Sequence, residues 1–247
     1  MTSAADTLAV AAPALRRDVA ACTRMLVDLD ILNYSGHVSA RIPGTEWFLI
    51  QPFADVRSGL QPDRLLVVDV DGAVVHGDGR PPIEVFIHSE ILRARDDVGA
   101  VAHFHHDPTT VFSLVDRPLV TMKNHASRWA DGVRIHPDPS HINSPAKGRE
   151  VVDTLGDEHA LLLRGHGEVL VAEDVRALYA DSVHFVENAA TLTLATALGT
   201  VVPLTPEEQQ RFLAEFDRSK HVDKLWRYYV ERAAASAVVP PEWSSGV

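Results

Sequence analysis

The spacing of apolar residues changes at residue 37, and this change restricts the possible folds more than any other feature of the sequence. Between Leu8 and Leu32, apolar side chains recur at three- and four-residue steps, which predicts an amphipathic helix that packs one face on a core. The later apolar runs are short and rich in β-branched or aromatic residues, and Asp71-Gly72 is typical of a tight turn. These runs predict four strands of an antiparallel region, at 37–42, 47–51, 66–70 and 73–75.

The rest of the chain alternates between helical and strand patterns. Helices are predicted at 84–95, at 175–198 after an N-cap at Asp174, and from Thr205 through Trp226. Buried strands are predicted at 98–105, 160–164 and 169–172. Because no linker or repeat divides the sequence, we expect one α/β domain over residues 1–247, with a central, mainly antiparallel sheet flanked by helices. A Pro- and Ser-rich tail predicts a loose C-terminus from about residue 236.

Composition and charge narrow the range of functions. Apolar residues make up 46% of the 247 residues and charged residues 23%, so the chain can bury a sizeable core. The formal net charge is -11 and no basic run offsets it, which argues against nucleic acid or an anionic membrane as a partner. The single cysteine, Cys22, and the absence of an uninterrupted apolar stretch in the first thirty residues favour a cytoplasmic protein.

The thirteen histidines carry the main chemical signal. His103 and His105 lie two residues apart in a predicted strand, so their imidazoles project from the same face. Such a pair suits a divalent metal, and His166, between two glycines after a buried strand, is the best candidate for a third ligand. A His-x-His pair is also typical of ordinary hydrogen-bonded histidines. Glu84, at the start of a predicted helix, suits either the helix dipole or a role as a general acid/base or fourth ligand.

Taken in order, these motifs resemble the class II aldolase and adducin family, from about residue 21 to about residue 198. The Gly-Asn-Val-Ser turn of that family corresponds to Gly36-His37-Val38-Ser39, and its acidic residue before a helix corresponds to Glu84. Its His-x-His pair and its third histidine, which precedes a glycine, correspond to His103, His105 and His166. The agreement of four motifs in one order is far more specific than any one of them.

The resemblance implies a single-domain class II aldolase-like fold and a divalent metal. Zinc and manganese are the expected ions, with cobalt as a further alternative. The metal would be held by His103, His105 and His166, with Glu84 as the acid/base or an exchangeable fourth ligand. The resemblance also implies a homotetramer with active sites between subunits. A tyrosine such as Tyr228 or Tyr229 would then reach a neighbouring site, with simple packing of the two rings as the alternative.

Departures from the family pattern bear on the substrate. Members that cleave sugar phosphates hold the phosphate with the asparagine of Gly-Asn, a Thr-Gly or Ser-Gly pair and a Ser-Ser pair. Here these positions are His37, Phe53-Ala54 and Pro82-Ile83, which offer few donors to a phosphate and suit an aromatic ring instead. With His141-Ile142-Asn143, they resemble the branch of the family that decarboxylates hydroxylated aromatic or pyridine dicarboxylates, such as dihydroxyphthalates.

This branch implies a metal-dependent decarboxylase in aromatic compound catabolism. Such an enzyme releases CO2 from a small aromatic carboxylate through an enolate-like intermediate that the metal stabilises. Glu84 or His37 would deliver the proton. We expect four residues to contact the substrate: Gly36, His37, Arg57 and His88. His88 lies one helical turn after Glu84 and is also expected to hold that carboxylate in place.

Other interpretations stay open. An aldolase or epimerase acting on a small hydroxy-carbonyl substrate would use the same metal and Glu84. An adducin-like interaction module would keep the fold without catalysis, and a structural zinc is a further alternative. Three basic residues are candidates to pair with a second substrate carboxylate: Arg57, Arg80 and Lys123. The alternative for each of them is an ordinary solvent-exposed position. Five histidines remain unassigned: His125, His136, His141, His159 and His184. Of these, His125 and His141 follow the His-x-His strand closely enough to lie beside the site.

Overall fold

The computed structural model describes residues 12–244, which form one eight-stranded sheet with helices on both faces. The strands are β1 (His37–Arg41), β2 (Trp47–Ile50), β3 (Leu66–Asp69), β4 (Val74–His76), β5 (Ala100–Phe104), β6 (Arg134–His136), β7 (Ala160–Leu163) and β8 (Gly167–Ala172). Their order in the sheet is β4-β3-β2-β1-β5-β8-β7-β6. All neighbours pair antiparallel except β6 and β7, which are parallel. The predicted α/β architecture with a mainly antiparallel sheet is confirmed.

Seven helices accompany this sheet in the part of the chain that the structure describes. They are α1 (Pro13–Asp28), α2 (Val85–Ala94), α3 (Asp107–Thr110), α4 (Pro145–Leu155), α5 (Val175–Leu198), α6 (Pro206–Glu215) and α7 (Arg218–Ala235). Side chains alternate across each strand, so the sheet buries two separate apolar clusters. One cluster lies against α1, α5 and α7, and the other against α2 and α4. Within residues 12–244, no helix combines the length and apolar character needed to cross a membrane.

The first helix in the described part of the chain ends earlier than its apolar spacing suggests. Pro13 occupies the first turn, where its missing N–H costs nothing, and the helix ends at Asp28. Asp30 then takes a left-handed φ of 56°, which turns the chain back so that Leu32 still reaches the core at 1% exposure. Leu8 lies outside the described residues.

The C-terminal predictions need two corrections. The single helix expected from Thr205 is two helices, because Phe216 leaves the helical conformation and Asp217 caps α7 through the backbone N–H of Lys220. The expected loose tail is packed as far as Ser244: Val239 is 1% exposed, and the Arg24 guanidinium lies 5.4 Å from the centre of the Trp243 ring.

Three of these elements were absent from the sequence predictions: the one-turn helix α3, the helix α4 and the strand β6. The helix α4 begins after Ser144, whose side chain accepts a hydrogen bond from the backbone N–H of Lys147, so its Ser-Pro start was a readable signal. The strand β6 is only three residues long and exposes Arg134 and Ile135, and it therefore gives no apolar run. Its existence depends on the parallel pairing with β7.

The sheet order determines where the chemistry lies. Because β1 pairs with β5, His37 stands directly opposite His103. The strand β8 lies on the other side of β5, and the Gly165–Gly167 turn that enters it reaches the same end of the sheet. Glu84 is the residue immediately before α2, which packs on this sheet. Residues far apart in sequence therefore converge at one sheet end.

Candidate active site

Four side chains meet at this end of the sheet. Each offers a ligand atom, and these atoms all lie within 4.8 Å of one another. The four are Glu84, His103, His105 and His166. The structure thus brings together all the residues for which the sequence suggested metal binding.

His103 is oriented by the neighbouring strand. Its Nδ1 donates a hydrogen bond of 2.8 Å to the backbone carbonyl of Glu168, which can only accept. In the neutral ring this leaves Nε2 unprotonated, and Nε2 lies 3.3 Å from Oε2 of Glu84. Two acceptors facing each other in a buried place need a cation or a proton between them, so the pair suits a metal ion.

The other two histidines also present free ring nitrogens. His105 uses Nδ1 in a 3.1 Å contact with the Ser35 hydroxyl, which leaves its Nε2 for a ligand. Burial, followed by the nearby His103, lowers the pKa of His105 to about 3, so the ring is neutral and able to bind a metal at neutral pH. Both ring nitrogens of His166 are buried without a hydrogen-bond partner. This donor set fits a divalent cation of the imidazole-binding class.

Glycine is required on one side of His166 for steric reasons. A Cβ placed on Gly167 would lie 2.3 Å from the carbonyl oxygen of Phe104, so only glycine lets β8 approach β5 this closely. Gly165 has a left-handed φ of 61°, a conformation that turns the chain between β7 and β8. The two glycines therefore aim His166 back toward the cluster.

Glu84 is held by the loop before α4. Its Oε1 accepts a 3.0 Å hydrogen bond from the backbone N–H of Ile142, and it lies 3.5 Å from Nε2 of His166 and from Nδ1 of His141. Burial acts to raise the pKa of Glu84, but the nearby His103 and His166 rings, 3.3 and 3.5 Å from its carboxylate oxygens, outweigh it and hold the pKa below its usual range. Glu84 makes no side-chain cap on α2, so helix capping does not explain its presence.

His37 and His88 form a separate chain of polar contacts beside the cluster. His37 Nδ1 lies 2.7 Å from His88 Nε2, and His88 Nδ1 lies 2.6 Å from the Ser39 hydroxyl. Burial, followed by His88, lowers the pKa of His37 well below its ordinary value, so this ring is neutral at neutral pH. The expectation that His88 holds Glu84 is corrected: its hydrogen bonds go to His37 and Ser39.

A cavity of about 320 Å³ opens beside Glu84. Its wall contains three side chains at the positions where the sequence predicts an aromatic-binding surface: Phe53, Pro82 and Ile83. The Arg80 guanidinium stacks over the Phe53 ring at 4.0 Å from its centre, which holds the ring in place. His37, Tyr34 and His141 complete much of the remaining lining.

Arg57 is buried, contrary to the solvent-exposed alternative. Only 7% of it is exposed, and it lines the cavity. Its Nε donates to the Gly36 carbonyl and its Nη1 to the carbonyls of Phe53 and Asp55. Among residues 12–244, the hydrogen bonds of the Arg57 guanidinium all use Nε and Nη1, and Nη2 makes none. Gly36 is tightly enclosed, since a Cβ there would lie 2.7 Å from Cγ of Leu32.

Several other candidates lie away from this cavity. Lys123 pairs with Glu187, and Tyr229 packs against the ring of Tyr179 at 5.3 Å between centroids, which favours the packing interpretation for this tyrosine. Tyr228 is 60% exposed. His141 reaches the site. His125 and His184 instead belong to a different cluster, together with His221, to which the sequence pattern assigned no role.

Three residues that support the site were missed from the sequence. Ser35 contacts His105, Ser39 contacts His88, and Glu168 orients His103 through its carbonyl. The Ser39 contact had a usable signal, because Ser39 shares a strand face with His37 at a two-residue spacing. The contacts of Ser35 and Glu168 depend on strand order, which has no local signal.

Known proteins match this chain over a region that includes the four-residue cluster. The model of the class II aldolase and adducin N-terminal domain family matches residues 17–194, which include the whole four-residue cluster. A 3,4-dihydroxyphthalate decarboxylase of Arthrobacter keyseri is 27% identical over 215 residues, covering 81% of this chain and 86% of that protein. An L-fuculose phosphate aldolase of Methanococcus maripaludis is 25% identical over 152 residues, covering 60% and 79% of the two chains.

Among solved structures, an aldolase II superfamily protein from Pseudomonas syringae has the same fold. The two structures superimpose with a TM-score of 0.79 at 24% identity, over 91% of this chain and 93% of the other. The match confirms the expected single-domain, class II aldolase-like arrangement of one mainly antiparallel sheet between helices.

Proposed function

The chain belongs to the class II aldolase and adducin family, and from this membership we propose that it is a metal-dependent carbon–carbon lyase that decarboxylates a hydroxylated aromatic dicarboxylate. One observation carries the proposal: a donor set suited to a divalent cation adjoins, through Glu84, a cavity with an apolar wall. The decarboxylase of Arthrobacter keyseri adds support, since its match spans most of both chains.

The cavity suits a flat ring better than a sugar phosphate. Its volume of about 320 Å³ is at the small end of ligand pockets and large enough for a single-ring acid. Pro82 has no N–H to donate, and Phe53 and Ile83 have no hydroxyl, whereas a phosphate needs several donors. Nη2 of Arg57 is the donor we assign to one substrate carboxylate.

We assign the metal to His103, His105 and His166, with Glu84 as an acid/base or exchangeable ligand. Zinc, manganese and cobalt all accept this donor set, so the native ion is decided by supply and geometry. When bound, such a cation supplies Lewis acidity that stabilises negative charge on substrate oxygens as the carbon–carbon bond breaks.

The protein side chains must deliver a proton to the substrate. A proton placed on the ring carbon that bears the carboxylate makes that carbon tetrahedral. CO2 then leaves, and the electron pair of the broken bond restores the aromatic ring. At neutral pH Glu84 is ionised and the His37 ring is neutral, so either one must first take up a proton, from water or a substrate hydroxyl, before it can act as the acid toward carbon.

An aldolase acting on a small hydroxy-carbonyl substrate is the second candidate. The same cluster would serve it, because retro-aldol cleavage also leaves an electron pair next to an oxygen. The match to an L-fuculose phosphate aldolase supports this alternative. It would release an aldehyde or ketone rather than CO2.

The experiment that separates these candidates is a product screen with the Zn²⁺-, Mn²⁺- or Co²⁺-loaded protein. The substrates are 3,4-dihydroxyphthalate, other ortho-hydroxy aromatic dicarboxylates, L-fuculose 1-phosphate and hydroxy-keto acids, with detection by mass spectrometry. We expect CO2 release from an aromatic acid and its loss after chelation of the metal. Carbonyl fragments from the aliphatic set, with every aromatic acid intact, would reverse the order of the two candidates.

We also propose a cytoplasmic homotetramer with active sites between subunits. Tyr34 and Val56 are 86% and 71% exposed and line a second cavity next to the first, and exposed apolar surface of this kind is typical of protein contacts. Light scattering of the wild type and of Val56→Asp tests the assembly. A monomeric wild type would contradict it.

A further inference from the structure

A second group of three histidines lies outside the candidate active site. His125 is on a 3₁₀ turn over Asn124–Trp129, His184 is on α5 and His221 is on α7. One ligand atom from each lies within 4.8 Å of the others. The proposed lyase chemistry uses none of these side chains, so they need a separate explanation.

The contacts within this second histidine cluster leave buried nitrogens unsatisfied. The Nε2 atoms of His184 and His221 lie 2.8 Å apart, and the His125 ring stacks on both at 4.4 and 4.2 Å between centroids. A hydrogen bond between two neutral rings would account for the first pair alone. Nδ1 of His125 is buried without a hydrogen-bond partner, which costs free energy unless a further group binds there, and Nδ1 of His184 makes no hydrogen bond and has only a carboxylate 3.6 Å away.

The surroundings resemble those of a metal ligand set. Oε2 of Glu187, one turn along α5 from His184, lies 3.6 Å from His184 Nδ1, in the arrangement by which a carboxylate orients a metal-bound imidazole. The rings of Phe212 in α6 and of Phe216, which follows α6, pack against the His125 ring at 5.3 and 5.2 Å between centroids.

Charge and protonation are compatible with a bound cation. Burial, followed by His184 and His221, lowers the pKa of His125 to about 4, so this ring is neutral at pH 7. Three cationic side chains lie near the cluster. Lys123 is paired with Glu187 and Arg218 with Asp181, so these two add no unbalanced positive charge, whereas Lys224 acts on His221.

We propose that His125, His184 and His221 form a second divalent-cation site, for zinc or another transition metal that binds imidazole, and that this cation fastens the C-terminal helices to α5. Nitrogens around one tetrahedral zinc are about 3.3 Å apart. The 2.8 Å pair would therefore separate by only about half an ångström. The three ligands come from three elements distant in sequence, so a cation there would crosslink the core helix, the 3₁₀ turn and α7.

Metal stoichiometry tests this site without reference to activity. The full chain is stripped with a chelator and titrated with Zn²⁺ against a chromophoric competitor. We expect two Zn²⁺ per wild-type chain, one per His184→Ala chain, and two per Phe212→Leu chain, which alters the packing around His125 but removes no ligand. Two Zn²⁺ in His184→Ala, or one in both that variant and the wild type, would overturn the second site.

A second variant tests the site when the candidate active site cannot bind metal, and it does not depend on whether His184→Ala folds. The double variant His103→Ala/His166→Ala lacks two ligands of the candidate active site, so it is expected to hold one Zn²⁺ per chain at the second histidine cluster. Zn²⁺ should also raise its Tm by several degrees, because a ligand that binds only the folded state stabilises it. A double variant that folds, binds no Zn²⁺ and shows no Tm shift would refute the proposal.

Discussion

His37 Nδ1 and His88 Nε2 lie 2.7 Å apart, and the two rings are 2% and 0% exposed. Since Nδ1 of His37 is engaged by His88, Nε2 is the nitrogen left to face the cavity that His37 lines. The Ser39 hydroxyl, 2.6 Å from Nδ1 of His88, fixes the second ring in turn. His88 is therefore a positioning residue for His37.

Replacing His88 with Leu should lower kcat while leaving KM and metal content almost unchanged. The lost hydrogen bond is worth about 1 to 1.5 kcal/mol, which corresponds to roughly a tenfold decrease in kcat. Steady-state kinetics of CO2 release and elemental analysis measure these quantities. Ser89→Ala is a matched control, because Ser89 is equally buried on α2 and its hydroxyl has no hydrogen-bond partner. Loss of metal from His88→Leu would contradict the positioning role.

Two variants of the four-residue cluster should distinguish the loss of metal binding from the loss of proton transfer. His166→Ala removes a ligand and should lose both metal and turnover. Glu84→Gln replaces the carboxylate with a neutral side chain of the same size, so it should retain the metal and lower kcat by roughly 100-fold or more. Metal content and turnover are measured on the same preparations. Full turnover in Glu84→Gln would exclude Glu84 as the acid/base.

Ile83→Ser should weaken binding of an aromatic substrate. Ile83 is 47% exposed on the cavity wall, and replacing it removes apolar surface from contact with the ring. We expect KM to rise about threefold to tenfold for about 1 kcal/mol of lost contact. Ile135→Ser is the control, since Ile135 is 41% exposed on β6 and does not line the cavity. Equal KM values in both variants would argue against ring binding at this wall.

Gly148→Ala should destabilise the protein although alanine favours helices. A Cβ at this position would lie 2.5 Å from the Phe86 carbonyl oxygen and 2.6 Å from Cγ of Glu90, so α4 would have to move away from α2. We expect a loss of about 1 to 3 kcal/mol in the free energy of unfolding, measured by chemical denaturation. Glu150→Ala, at an exposed position of α4, should have almost no effect. An unchanged stability of Gly148→Ala would mean that the helices are not in this close contact.

Stability should depend on pH through His159. Burial, followed by Arg128, lowers the pKa of His159 to about 4 in the folded chain, against about 6.5 when unfolded. Between these values the unfolded state binds more protons, so the free energy of unfolding falls as the pH decreases through this range. His159 contributes about 1 kcal/mol to this decrease in the free energy of unfolding, because its side chain is half-buried and solvent screens part of the effect.

The variant His159→Gln should therefore show a flatter decrease in unfolding free energy between pH 6.5 and pH 4. Glutamine still offers an oxygen to Arg128, which now lies 3.3 Å from Nδ1 of His159, so stability at pH 7.5 should hardly change. Denaturation curves at several pH values measure both effects. An unaltered slope would show that His159 titrates normally in the folded chain.

Local patterns were sufficient wherever a residue's surroundings depend on its neighbours in sequence. The two-residue alternation of β5 placed His103 and His105 together, and the Gly-His-Gly turn pointed to His166. Asp174 caps α5 as its position predicts. The break between α6 and α7 was missed because apolar spacing continues across it and only the conformation of Phe216 interrupts the helix.

The sequence by itself determined the alternation of helices and strands, the order of the motifs and the family, because these depend on side-chain periods of two and 3.6 residues and on short fixed spacings. Only the tertiary structure decided which distant groups touch. It brought the Ile142 N–H to Glu84, His88 to His37, and His125 to His221. Such contacts follow from the order of strands in the sheet and the packing of helices on it, which are fixed by the burial of the whole chain and not by any one segment.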